Sequence, residues 1–193
     1  MALDSKIKRV EYISIDRLIK QPPTDPDYVS VQDYVKIISS GGQVDKNKIT
    51  PPVLARMLEQ DCHEALELVK KIKVSGNNTL MYEVADIKIW ANLGLHLAEK
   101  LKGAVALQTY RVKGGEENRQ RSVKHLEKAL QFWELVVDIT RPLYNDMPLV
   151  HYSEQNGVRS KENEHLLFHW EKLRPYVAKD VETAKRATID IVK

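Results

Sequence analysis

The stretch TLMYEVADIKIWANLGLHLAEKLKGAVALQTYRVK, residues 79–113, decides the fold. It contains no proline, follows the loop Ser75-Gly76-Asn77-Asn78 and ends on Gly114-Gly115. The loop hands over to Thr79, whose side-chain oxygen suits a helix cap, and the glycine pair supplies the left-handed residue that closes a helix. Val84, Ile87, Ala91, Leu95, Ala98, Leu101 and Val105 recur every three or four positions, the spacing of one helix face. Ile89, Trp90, Leu93, Leu97 and Ala104 widen that stripe over much of the circumference, as in a helix buried among several others. Ala91, Gly94, Ala98, Gly103 and Ala104 are small and let neighbouring backbones approach. Asn92, His96, Glu99, Lys100 and Lys102 interrupt the run too often for the roughly 20 apolar residues of a membrane span. The stretch is expected to be the core helix of a bundle.

Beyond the glycine pair, a second long helix is expected from about Glu116 to Thr140. Val123, Leu126, Leu130, Trp133, Val137 and Thr140 alternate three- and four-residue steps, a narrow seam suited to a near-antiparallel neighbour. The short turn makes the two a helical hairpin. Residues 141–159 read as a loop, with Pro142, Pro148 and Gly157 and the aromatics Tyr144 and Tyr152. A last helix is expected from near Ser160, with Leu166, Trp170, Leu173, Val177, Val181 and Ala184 on one face and a kink at Pro175.

Toward the N-terminus, Thr50-Pro51 opens a helix with a capping residue and a proline at the first position, where its missing N–H costs nothing. Leu54, Leu58, Cys62, Ala65, Val69 and Ile72 form its stripe, which ends at Ser75-Gly76. A short helix is expected from Ser30, where Ser30 and Asp33 resemble a capping box, to Gly41-Gly42. Residues 10–19 read either as a short strand or as the start of a short helix reaching Ile19, and Pro22, Pro23 and Pro26 then enforce an extended passage. The expected organisation is an N-terminal extension or linker over 1–29 and an all-α bundle over 30–193, with four main helices and one or two short ones.

With 193 residues, 42% hydrophobic and 30% charged, the chain suits one globular domain with a sizeable core. Its net charge of +3, with basic residues spread along the chain, gives no sign of a nucleic-acid partner. Cys62 is the single cysteine, which excludes an internal disulfide, and it reads as a small core residue. The N-terminus MALDSKIKRVEY lacks the apolar centre of a signal peptide, as a cytosolic protein or a fragment of a longer one would.

Candidate chemistry is sparse. His165 and His169 stand at i and i+4 of the expected last helix and are weak candidates for metal ligands, with Glu162 or Glu171 to complete a site. Leu166 stands where an HExxH motif needs glutamate, and two ligands make no site. Glu162-Asn-Glu-His165 has the Glu-x-x-His spacing of a di-iron bundle without a mate, since Glu59 and His63 are one position too far apart. Glu83 and Asp86 read as a solvated helix face rather than an acid–base pair. No glycine loop for phosphate, dinucleotide fingerprint or nucleophile elbow occurs, so no cofactor and no catalytic residue is expected. Trp90, Trp133 and Trp170 invite a sugar-stacking reading, but all lie on or beside apolar stripes and are expected in the core. Tyr144, Tyr152 and His151, in the loop, are the candidates for contact with a partner or a sugar.

GAVALQTYR at 103–111, HLEKALQFWELVVDITRPLY at 125–144 and HLLFHWEKLRPYVAKDVETAK at 165–185, in this order, resemble the helical C-terminal region after the catalytic barrel in large secreted gut-bacterial glycoside hydrolases, α-glucuronidase-like and hexosaminidase-like. YVSVQDYVKII and KITPPVLARMLEQDCHEALELV are similar to the entry into that region, so the resemblance covers about 28–185. It implies a non-catalytic accessory domain, since in that family the acid and nucleophile lie on the barrel and nothing here alternates strand and helix. It also implies as partner a catalytic domain of the same polypeptide or a second copy, with carbohydrate nearby, and a periplasmic or extracellular place as part of a longer secreted protein; a chain complete as given would be cytoplasmic. The competing readings are a free-standing interaction scaffold similar to tetratricopeptide proteins, although no 34-residue period is present, and a metal-dependent bundle enzyme.

Overall fold

The computed structural model describes residues 12–148, 151–155, 158–162 and 167–190. Within them the chain forms α1 (Ile15–Lys20), α2 (Val31–Ser39), α3 (Pro51–Val69), α4 (Asn78–Lys113) and α5 (Glu116–Thr140). Four short strands follow, β1 (Met147–Pro148), β2 (His151–Gln155), β3 (Val158–Glu162) and β4 (Leu167–Phe168), and then α6 (Trp170–Lys185). The architecture is an all-α bundle built on α4, which packs against α3 on one side and α5 on the other, with α6 against α5.

The α4–α5 hairpin forms as its sequence predicts. Gly114 and Gly115 take φ of 74° and 86°, where only glycine is free of strain, and the Gly114 N–H closes α4 on the Tyr110 carbonyl at 2.7 Å. At the other end the cap is Asn77, whose Oδ1 accepts the Leu80 N–H at 3.0 Å, two residues before the expected Thr79. Ser30 caps α2 and donates to Asp33, so the capping pair forms with the shorter acid. For residues 10–19, the described part settles on a helix: α1 drives Ile15 and Ile19 into the core beside Leu101, Leu107 and Val181. The proline passage is clipped to the loop before α3, where the Val29 N–H donates to the Ile49 carbonyl at 3.0 Å and the Ile49 N–H to that of Asp27 at 2.8 Å.

Three expectations are corrected. The last helix starts at Trp170 and not near Ser160, because β3 and β4 occupy the intervening sequence; β3 pairs antiparallel with β2 and β4 with β1. Asn156-Gly157, a dipeptide common in tight turns, lies in the sequence between β2 and β3, whose own residues HYSEQ and VRSKE are too polar to announce strands. α3 ends at Val69, leaving Ile72 outside it. The apolar circumference of α4 is not fully covered either: Trp90 is 73% exposed and Ile87 41%. Among the described residues, the N-terminal segment meets α4 from Tyr12 at His96 to Asp16 at Arg111.

Small residues do bring the helices close. A Cβ on Gly103 would stand 2.8 Å from Cγ and 2.9 Å from Cδ2 of buried Leu126 on α5, while Ser122 Oγ donates to the Gly103 carbonyl at 2.9 Å. Gly94 likewise admits the Cys62 sulfur of α3. In a helix interior, glycine to alanine gains about 1 kcal/mol, but overpacking a core costs about 1–3 kcal/mol. Gly103→Ala is therefore expected to lower stability by about 1 kcal/mol net in urea unfolding; a variant as stable as the parent would show that α5 yields at this crossing.

Candidate functional site

His96 and Lys100 stand one turn apart on α4, so both side chains leave the same helix face. Lys100 Nζ lies 2.7 Å from Asp180 Oδ2 on α6, donates to the Ile13 carbonyl and sits 3.7 Å from the centre of the Tyr12 ring. Asp180 Oδ1 accepts the Ile15 N–H at 2.7 Å. His96 Nδ1 lies 2.9 Å from the Ala129 carbonyl of α5, which assigns its proton to that nitrogen, and Nε2 accepts the Tyr12 hydroxyl at 3.1 Å. Burial pushes the Lys100 ammonium down to about 8 against the pull of Asp180. Burial also takes His96 down to about 4, with the Lys100 charge adding to it and the Ala129 hydrogen bond opposing it. The Tyr12 hydroxyl is pushed up by burial, and Asp180 reinforces the shift.

Above this polar floor opens a cavity of about 360 Å³. Its walls include Trp90 of α4, Trp133 of α5 and Trp170 of α6, which are all three tryptophans of the chain. Trp133 is packed edge-on to His96 and Tyr12, at centroid distances of 5.0 and 5.8 Å, and donates Nε1–H to the Trp170 carbonyl at 3.1 Å. Phe168 meets Trp170 in a T-shaped contact at 5.1 Å. Trp90 stands at the mouth with most of its indole in water. Trp133 thus has the expected core place, Trp170 is half-buried, and Trp90 departs from the expectation.

A second cluster centres on the buried Glu99. Its Oε2 lies 2.6 Å from His125 Nδ1, and its Oε1 lies 2.7 Å from Lys128 Nζ and 3.4 Å from Lys102 Nζ; Lys102 also binds Glu59 of α3. Burial would raise this carboxyl, yet the hydrogen bonds from His125 and Lys128 and the nearby ammonium charges bring it down to about 2. Every charge in the cluster is matched across α3, α4 and α5, so it acts as a clamp. An open groove of about 980 Å³ elsewhere holds Lys20, Lys36, Arg111 and Arg186 with Asp16 and Asp190. Arg111 is held by Asp16 at 2.7 Å, and these cations sit at helix C-termini, where they complement the macrodipole.

Of the residues singled out in the sequence, Tyr144 is half-buried, gives its hydroxyl to Asp86 of α4 and stacks obliquely on Tyr82 and Trp170. The Asp86 hydrogen bond pushes its hydroxyl up to about 12. Glu83 is exposed. His151 and Tyr152 lie on β2, paired with Glu162 and Lys161 of β3, and their side chains fall outside the described part. His165 lies outside the described residues. His169 is buried and precedes α6 as its N-cap, with Nδ1 accepting the Glu171 N–H at 3.2 Å. Among the described residues, no three His, Cys, Asp or Glu side chains gather as a metal site, and no helix is long and apolar enough to cross a membrane. His96 and Lys100 figured in the sequence only as polar residues interrupting the α4 stripe, and Tyr12 and Asp180 were not singled out at all. The chain matches no protein-family model, no curated protein and no solved structure.

Two consequences are measurable. Removing one partner of a buried ion pair strands the other, so Lys100→Met and Asp180→Leu should each cost about 3–5 kcal/mol, and the double variant less than their sum; additive losses would show that the two do not interact. The folded pKa of His96, about 4, lies below its unfolded value of 6.5. Its neutral form is the one the fold accommodates, so stability is complete above pH 6.5 and lost as pH falls toward 4, by about 3 kcal/mol. Glu99, lowered to about 2 from 4.5, adds its loss at lower pH. Urea midpoints followed across this range should fall steeply, and His96→Asn should flatten the upper part; an unchanged slope in that variant would remove His96 from the account.

Proposed function

We propose that this chain is a non-catalytic helical accessory domain of a glycoside hydrolase-like, carbohydrate-active protein, docked on a catalytic domain of the same polypeptide or on a second copy. The observation that carries the reading is the apolar surface left in water where α3 hands over to α4. Leu68 is 55% exposed, Ile72 40%, Tyr82 41% and Ile87 41%, from the end of α3 to the first turns of α4. Apolar side chains left in water suit a contact surface, and the packed α3–α4 pair behind them is placed to hold one. The resemblance of residues 28–185 to the post-barrel region of glycoside hydrolases supports the choice of partner. In this reading the chemistry belongs to the barrel, and the bundle extends or braces it.

An antibody raised against this chain should detect, in its source cells, a band several times larger than 22.2 kDa, and the purified chain should not hydrolyse aryl glycosides. A native band near 22.2 kDa, or glycosidase activity in the isolated chain, would overturn the reading.

A further inference from the structure

We infer that the tryptophan cavity is a binding site for a small, neutral, planar aromatic molecule, a ring system of naphthalene or indole type. Three observations lead to this ligand class, and none depends on the resemblance or on the docking surface at the α3–α4 turn. First, α4, α5 and α6 each send one indole to the same 360 Å³ space, which lies within the roughly 300–1,000 Å³ of small-molecule sites. Trp90 is left 73% exposed at the mouth, although Leu93, the next-turn Leu97 and the Trp170 ring line the space beside it. A flat ring entering the cavity would meet it face-on or edge-on, as aromatic pairs prefer.

Second, the charges of the polar floor are already paired. The Lys100 ammonium donates to the Ile13 carbonyl, is paired with the Asp180 carboxylate at 2.7 Å and stands over the face of Tyr12. Both nitrogens of His96 and the indole N–H of Trp133 are engaged. An ion entering the cavity would lose its water and find no free opposite charge, and a sugar would bury hydroxyls against walls that offer few partners. A neutral aromatic ring loses least.

Third, the one polar capacity left at the floor is modest. The Tyr12 hydroxyl donates to His96 and retains acceptor lone pairs. It can take a single O–H or N–H from the ligand, which suits a phenol or an indole and fixes one edge of the ring toward α4.

The test uses N-phenyl-1-naphthylamine, a neutral probe whose emission rises in apolar surroundings, titrated into the intact chain. Because every tryptophan of the protein lines the cavity, excitation of tryptophan reports occupancy directly. Saturable one-to-one quenching of tryptophan emission, with matching probe emission and competition by 2-naphthol but not by methyl glucoside, is expected. Trp90→Ala, a change at an exposed side chain, should weaken binding about tenfold, the share of one aromatic face and its buried area. Leu97→Trp, which fills the mouth from the rim, should abolish it with the thermal midpoint unchanged. Absence of saturation up to the solubility of the probe would overturn the proposal, as would undiminished binding in both variants or selective binding of a charged analogue such as anilinonaphthalene sulfonate.

Discussion

The buried pair of Lys100 and Asp180 is the constraint on which the rest of the bundle depends. It is the direct polar tie between the central helix and α6, and both side chains are almost fully out of water. Such a pair stabilises little by itself, because two desolvated charges repay their own dehydration only when every remaining donor and acceptor is met. Here the N-terminal segment supplies a partner to each end of the pair. The Ile13 carbonyl takes one lysine proton, the Ile15 N–H fills the second carboxylate oxygen, and Tyr12 lays its ring over the ammonium. Residues 12–15 are thereby fixed on α4 and α6, and α1 follows with Ile15 and Ile19 in the core. A segment that looks like a connector in the sequence is bound by the charge pair it completes.

What the sequence made legible was whatever depends on local periodicity. The glycine pair at 114–115, the seam of α5 and the stripe from Leu173 to Ala184 all appear where the spacing puts them, because burial of one face needs only a neighbour of the right length. The region between Pro142 and Trp170 was not legible in the same way. Apolar residues at Leu166, Trp170 and Leu173 continue the helical period backward, so the period alone carries the helix too far. In the structure β2 pairs with β3 over part of that stretch, so a stripe that extends by chance does not make it helical.

The candidate site was visible only as scattered pieces. Trp90, Trp133 and Trp170 each fit a stripe, and a stripe says that a residue faces inward without saying what stands opposite. Their convergence is set by the crossing of three helices and by Phe168, which reaches the same space from a strand. Trp90 is the sharpest case. It belongs to a helix apolar nearly all round, and such a helix predicts burial only while enough neighbours exist to surround it. Although Tyr12, Phe168 and Trp170 share the cavity with it, Trp90 is left 73% exposed among the described residues.

Polar residues inside the α4 stripe therefore carry more information than the apolar ones around them. His96, Glu99 and Lys100 lie within five residues of one helix, yet together they tie it to three elements: His96 to Ala129 of α5 and to Tyr12, Glu99 to His125 and Lys128 of α5, and Lys100 to Asp180 of α6 and to Ile13. Hydrogen bonds are directional where apolar contacts are not, so these three residues fix the rotation of α4 relative to its neighbours, while Gly94 and Gly103 fix its distance from α3 and α5. A helix held in rotation and distance by separate means cannot roll or sink to close a void at its surface. The cavity beneath Trp90 stays open for that reason. Burial of Trp90 would require α4 to turn, and turning would strand the Lys100 ammonium, the Glu99 carboxylate and the His96 ring in the interior, a loss larger than one indole can return.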